Sequence, residues 1–371
     1  MSDQGAPTPG GENEASHLSR RDFLRRGAAA AAGAVAAGSL LDRASQLLAQ
    51  QGAAEGTPAA KSSRAAKADK PATAGEPTAA GEPAAQDVKK SRVIVITHPE
   101  ALLREYEANR PVIEKMIERA VRELTGAESE QKAWRQIAAA GDRVSLKITR
   151  AGGPNLRTHD EIPAYLSKRL AEVAGVEAAR IRAWDRTDLK PEEMELSESY
   201  MLPSRGKETR LRAALTKDVT AIINLPVLKM HSGTGASIAL KNHFGSINNP
   251  SAFHGWEAGE MWKSIAELNN LEPIRKRTRL VIVDATRPLY RDGPTDRPDF
   301  RWNFNGLIVG LDPVAVESVG LDILDKKREE ANPGAPGWPA TDGRKTTEWA
   351  QRIGLGHADK DRIELVTIRL D

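Results

Sequence analysis

The chain reads as an α/β protein, a mostly parallel sheet flanked by helices in one large domain over residues 91–371. Three observations predict this class. Short β-branched runs alternate with longer segments of helical periodicity. Several of the runs are almost wholly apolar, as strands covered on both faces are. The polar residues of unusual type gather just after those runs, where ligands of open parallel sheets bind.

In chain order, the first strand is expected at Val93 to Thr97, a Val-Ile-Val-Ile run. Glu100 to Leu124 carries apolar residues at helical spacing and is expected as a helix. Val144 to Ile148 follows as a strand, Asp160 to Ala174 as a helix, and Arg180 to Trp184 and Ala221 to Leu225 as strands. Gly259 to Leu271 reads as a helix, Leu280 to Val283 and Gly306 to Val309 as strands, Pro313 to Lys326 as a helix and Ile363 to Ile368 as the last strand.

Ahead of this domain lie two regions of different character. Residues 1–49 form a signal region: Ser19-Arg20-Arg21-Asp22-Phe23-Leu24 precedes an uncharged Ala/Gly-rich run from Gly27 to Leu41. That pattern is a twin-arginine signal, with an apolar run shorter than the roughly 20 residues a spanning helix needs. The expected partner is the twin-arginine machinery, which exports folded cargo, so the protein is expected in the periplasm or outside the cell. Residues 50–90 are rich in Ala, Gly, Pro, Thr, Glu and Lys, with the near-repeat Thr73 to Pro77 and Thr78 to Pro83, and read as a disordered linker. No clean small-x-small cleavage site is evident; an uncleaved signal would tether the domain, and that is the one membrane contact expected.

Composition excludes several classes. The 371 residues include no cysteine, so disulfides and thiolate-held iron-sulfur clusters cannot form, and any metal would sit on His, Asp, Glu or amide groups. Lys plus Arg number 54 against 51 Asp plus Glu, interspersed, which gives no basis for a nucleic-acid partner. No nucleophile elbow, P-loop or G-x-G-x-x-G is present.

The segment after Leu225 is the richest in chemistry. Lys229, Met230 and His231 lead into Ser232 to Ser237, then Lys241-Asn242-His243-Phe244-Gly245, and three of the seven histidines are His231, His243 and His254. The small residues would let backbone N–H groups approach an anion, with Ile238 to His243 as a short helix and Lys229 and Lys241 adding charge. An ordinary glycine-rich connection with solvated lysines is the plainer alternative. A second cluster runs from Thr149 to Asp160 and includes Asn155, with Thr158 or Asp160 as a helix cap. Lys147, ending a buried strand, should enter a site or meet a carboxylate, since an unpaired buried ammonium is costly. In the third cluster Asp284 either binds a cation, orients a histidine or acts as a base, or else starts a turn with Thr286. A metal on His231 and His243 is compatible with the residue types, but their spacing is not that of a helical zinc pair.

At these residues the chain resembles the DUF362 family, whose function is uncharacterised. The resemblance rests on Val144 to Ile148 with Thr158-His159, Ala221 to His231, Leu240 to Gly245, Asp284 with Gly293-Pro294, Leu311 to Ala315 and Gly354 to Gly356. Cysteine-rich modules of many members are missing, and His243 replaces a usual apolar residue. Asp284-Ala285-Thr286-Arg287-Pro288 is also similar to the D-x-T-R-P string of nickel-pincer lactate racemases, which act on 2-hydroxy acids. The expected site is lined by Lys147, Asn155, Lys229, His231, Lys241, Asn242, His243 and Asp284. Two functions fit it: an enzyme acting on a small anionic ligand, with His231 as acid/base beside Lys229 and Asp284, or a non-catalytic periplasmic binding or metal-handling protein.

Overall fold

The computed structural model describes residues 90–254, 260–333 and 340–371, side chains of 340–342 excepted. The expected signal region and linker, up to residue 89, lie outside the described residues.

Strand β1 (Ser91–Thr97) is followed by a small hairpin, β2 (Leu102–Arg104) and β3 (Glu107–Ala108), and by helix α1 (Arg110–Thr125). The sequence predicts helix from Glu100; the helix instead begins at Arg110-Pro111, because proline's missing N–H is harmless only in the first turn. Gly126, at φ 62°, stops it in the left-handed conformation that glycine adopts without strain. Helix α2 (Glu130–Ile137), β4 (Val144–Ile148), α3 (Glu161–Glu172), β5 (Ile181–Trp184), the β6 (Leu196–Leu202) and β7 (Lys207–Arg212) hairpin and β8 (Ala221–Leu225) follow.

Pro226 interrupts the ladder, and the chain resumes as β9 (Val227–His231), which turns back into β10 (Gly235–Ser237). The Ser/Gly/Thr stretch is therefore a hairpin turn and strand rather than an open loop, and Ile238 to His243 is not a helix: a 3₁₀ turn starts only at Lys241 and runs to Ser246. Helix α4 (Met261–Asn270), β11 (Thr278–Leu289), β12 (Gly306–Gly310), α5 (Pro313–Ala331), α6 (Ala340–Arg352) and β13 (Ile363–Arg369) complete the order. β11 runs six residues past the expected end at Val283, since its second half leaves β12 and pairs with β9.

The main sheet has the order β13-β1-β12-β11-β8-β4-β5, parallel throughout except β12, which is antiparallel to both β1 and β11. Alternation in β1 shows why both faces are covered. Ile94 and Ile96 pack with Ile113, Met116 and Ile117 of α1, whereas Val93 and Val95 pack with Val316 and Val319 of α5. Each such fully buried side chain contributes about 1.5–3 kcal/mol relative to exposure. On the second face, Trp184 and Ile222 meet Ile265 and Leu268 of α4. The result is a single α/β domain with helices on both faces, and the parallel strands β4, β5 and β8 end side by side. Among the described residues no helix is long and apolar enough to cross a membrane.

Candidate functional site

Beyond those strand ends lies a cleft of about 640 Å³, lined by Thr149, Asp185, Lys229, His231, Lys241 and Asn242 among others. A larger cleft of about 890 Å³ sits at the opposite end of the strands, where Ser91, Asp312 and His357, and Arg92 and Glu364, are engaged with one another. There Ser91 donates to Asp312, and Asp312 caps α5 through the N–H groups of Val314 and Ala315. The chemistry of the C-terminal cleft is of a different kind.

Its floor is an ion pair. Lys147, 1% exposed, places Nζ 2.9 Å from Asp185 Oδ1, and also donates to Ile148 O at 2.6 Å and Asn242 Oδ1 at 3.2 Å. The ammonium thus has three acceptors, and the expectation that Lys147 meets a carboxylate holds. Asp185 also accepts from the backbone N–H groups of Arg150 and Arg186. Burial pushes its carboxyl up, but Lys147 and these donors outweigh burial and hold it below the usual carboxylate range. Gly245 backs onto this pair: a Cβ there would lie 2.9 Å from Asp185 Oδ1 and 3.0 Å from Lys147 Nζ. Only glycine permits that approach.

Asn242 links the floor to the wall. Its Oδ1 accepts from Lys147 and Thr149, and its Nδ2 donates to Lys147 O and Asn224 Oδ1. Asn224 in turn donates to Ala239 O, Asn269 donates to Leu240 O, and Glu317 accepts from Leu240 N. These buried polar contacts hold the backbone on both sides of Lys241.

Lys229 and Lys241 are 3% and 6% exposed, and neither forms an ion pair with a described carboxylate. Lys229 Nζ donates to Ala151 O; Lys241 Nζ lies 3.0 Å from His254 Nε2 and 4.3 Å from the Phe244 ring centre. Burial is the main cause that brings Lys229 down to about 8, with Asp185 opposing it. Burial and then the charge of Lys229 bring Lys241 down to about 7. His231, half-buried at the end of β9, accepts the Gly233 N–H at Nδ1 (3.0 Å), so its proton sits on Nε2. Burial, then Lys241, His254 and Lys229, lower it to about 3. His231 is therefore a neutral hydrogen-bond donor through Nε2.

Three expected members stand elsewhere. Asp284 does not orient His231. Its Oδ2 is 2.7 Å from His159 Nδ1 and accepts the His159 backbone N–H, while Oδ1 accepts from Thr286. The bond to Thr286 matches the turn-starter alternative chemically, but both residues lie within β11. Burial raises Asp284, yet His159 overrides it and holds the carboxyl at about 2. Asn155 is exposed and outside the cleft, and its carbonyl accepts from Arg301. His243 is buried with Nδ1 3.4 Å from Ser246 Oγ. It does not join His231, and no group of three or more potential metal ligands gathers among the described residues. Nor do Thr158 and Asp160 cap α3: Thr158 bridges Thr149 N and Leu225 O, and Asp160 pairs with Arg150 and Arg157.

Sequence reasoning passed over Asp185 and the His159–Asp284 pair, and it named His254 in the histidine cluster without placing it in the site. Asp185 had a signal, since it directly follows a predicted strand in a loop the parallel-sheet rule singles out.

Residues 156–322 match the family DUF362, described as a domain of unknown function. The chain thus contains a DUF362 domain, and the matched region includes Lys229, His231, Lys241 and Asn242. No curated protein and no solved structure is significantly similar to the chain.

Proposed function

We propose that the C-terminal cleft binds a small ligand carrying a carboxylate or phosphate and acts on it by proton transfer, in a protein exported folded through the twin-arginine route. One observation carries the reading: two buried lysines line the cleft with only neutral acceptors. A buried ammonium without a carboxylate is costly unless an anion completes it. The ligand supplies the charge that the described side chains do not. Lys229 holds the anionic group, and His231 Nε2–H donates to it or to a neighbouring oxygen. His254, whose basic nitrogen faces Lys241, favours proton transfer over binding alone.

Calorimetric titration of the full chain with phosphate and with oxalate tests this. Saturable binding is expected, and Lys229→Met should remove about 2–5 kcal/mol of binding free energy. Unchanged affinity in that variant would remove Lys229 from the site. For export, replacing Arg20-Arg21 by Lys-Lys should leave the protein in the cytoplasm, measured by fractionation; normal export of that variant would contradict the route.

A further inference from the structure

The two cleft lysines differ in their partners. Lys229 donates to a carbonyl oxygen, which cannot take up its proton. Lys241 faces an imidazole nitrogen. His254 Nδ1 lies 2.7 Å from Pro250 O, and a carbonyl only accepts, so Nδ1 carries the ring proton and Nε2 presents its lone pair to Lys241 Nζ at 3.0 Å. Phe244 stands beside both, 4.3 Å from Nζ and edge-on to His254 at 5.2 Å between ring centres. Buried, next to a second cation and in contact with a proton acceptor, Lys241 has the surroundings of an amine activated for attack on a carbonyl.

We propose that Lys241 forms an imine with the carbonyl group of the ligand, so that the substrate class is a small aldehyde or keto acid whose anionic group rests on Lys229. This rests on the anion-binding reading above and adds the reactive group. The lowered proton affinity of Lys241, caused first by burial and then by Lys229, acts in the same direction.

The step balances within the residues present. The Lys241 ammonium passes a proton to His254 Nε2. The freed nitrogen pair adds to the carbonyl carbon, a C–N bond forms, and the C=O π pair moves to oxygen. A proton moves from that nitrogen to the oxygen, giving the neutral carbinolamine. His254 returns its proton to the hydroxyl, the C–O bond breaks with loss of water, and the nitrogen pair closes a protonated imine. Lysine ammonium and carbonyl compound thus become iminium and water, with no oxidant or reductant. Lys229 cannot take this part, because Ala151 O offers its proton no destination.

The test uses the full chain with pyruvate and with 2-oxoglutarate, and oxalate as an anion with no carbonyl of this reactivity. Incubation with keto acid and cyanoborohydride, followed by peptide mass mapping, should add the mass of the keto acid less one oxygen to the peptide holding Lys241. Oxalate should protect against labelling, and Lys241→Arg, which keeps the charge, should lose the label almost completely. The wild-type map places the label without relying on any variant's folding. Keto acid and oxalate that bind without labelling Lys241, or labelling of surface lysines in preference, would overturn the imine while leaving the anion site standing. Absence of binding by both keto acids and oxalate would overturn the two together.

Discussion

Two sets of charged residues share the C-terminal edge of the sheet, and they are finished differently. In the first, Lys147 meets Asp185 and His159 meets Asp284, each pair with further hydrogen bonds to backbone or hydroxyl groups. In the second, Lys229 and Lys241 meet only a carbonyl and an imidazole. Burial is comparable, so desolvation is comparable; what differs is whether the chain provides the opposite charge. A charge completed by its own chain holds the fold together, whereas one left to neutral acceptors is available to a ligand.

The sharpest way to break this contrast is to delete a lysine from each set. Lys147→Met strands Asp185 and should lower unfolding free energy by about 3–5 kcal/mol in urea titrations. Lys229→Met, which leaves no carboxylate behind, should unfold at an equal or higher denaturant concentration. Equal losses in both would erase the distinction.

A smaller effect is expected at the second pair. Asp284→Asn should cost about 1.5–3 kcal/mol, the range for hydrogen bonds to a charged group. Burial opposes protonation of His159, but Asp284 outweighs it and raises the imidazole above its ordinary 6.5. A group raised on folding stabilises fully below the unfolded value and loses that contribution as pH climbs through the folded value. Stability should therefore decline above pH 6.5 in the wild type and more weakly in His159→Asn. Asp284, held at about 2, contributes above its unfolded value near 3.8 and loses that contribution as pH falls toward 2.

Gly245→Ala pushes a methyl group against the Lys147–Asp185 pair and should cost about 1–3 kcal/mol by overpacking, read from the same titrations. The gentlest probe is pH on the unpaired set. Lys241 sits at about 7 beside Lys229, His231 and His254. A bound anion raises it, so binding takes up a proton and affinity should fall by up to about tenfold per pH unit above 7. A flat profile would mean that Lys241 does not sense the ligand.

Much of the fold was legible because periodicity is local. The runs at 144–148 and 221–225 are short and carry mostly Val, Ile and Leu, the composition of a strand covered on both faces, and both appear with the expected bounds even though Ser145, Lys147 and Asn224 are polar. The hairpin at Leu102–Ala108 was not legible, because its residues also fit a helical period and only Pro111 sets the true start. The lysines of the cleft were legible from their position after buried strands. Their partners were not: Lys147 and Asp185 are 38 residues apart, and His159 and Asp284 are 125 apart.

By itself the sequence determined the α/β class, the absence of thiol chemistry, and a concentration of Lys, His and Asn at the strand ends, all of which follow from composition and local pattern. The tertiary structure decided which charges are completed and which are left open. That decision depends on strand order and register, because β4 lies between β5 and β8 and so brings Asp185, Lys147 and Asn224 together. Pairwise electrostatics acts over a few ångströms in space, whatever the distance along the chain.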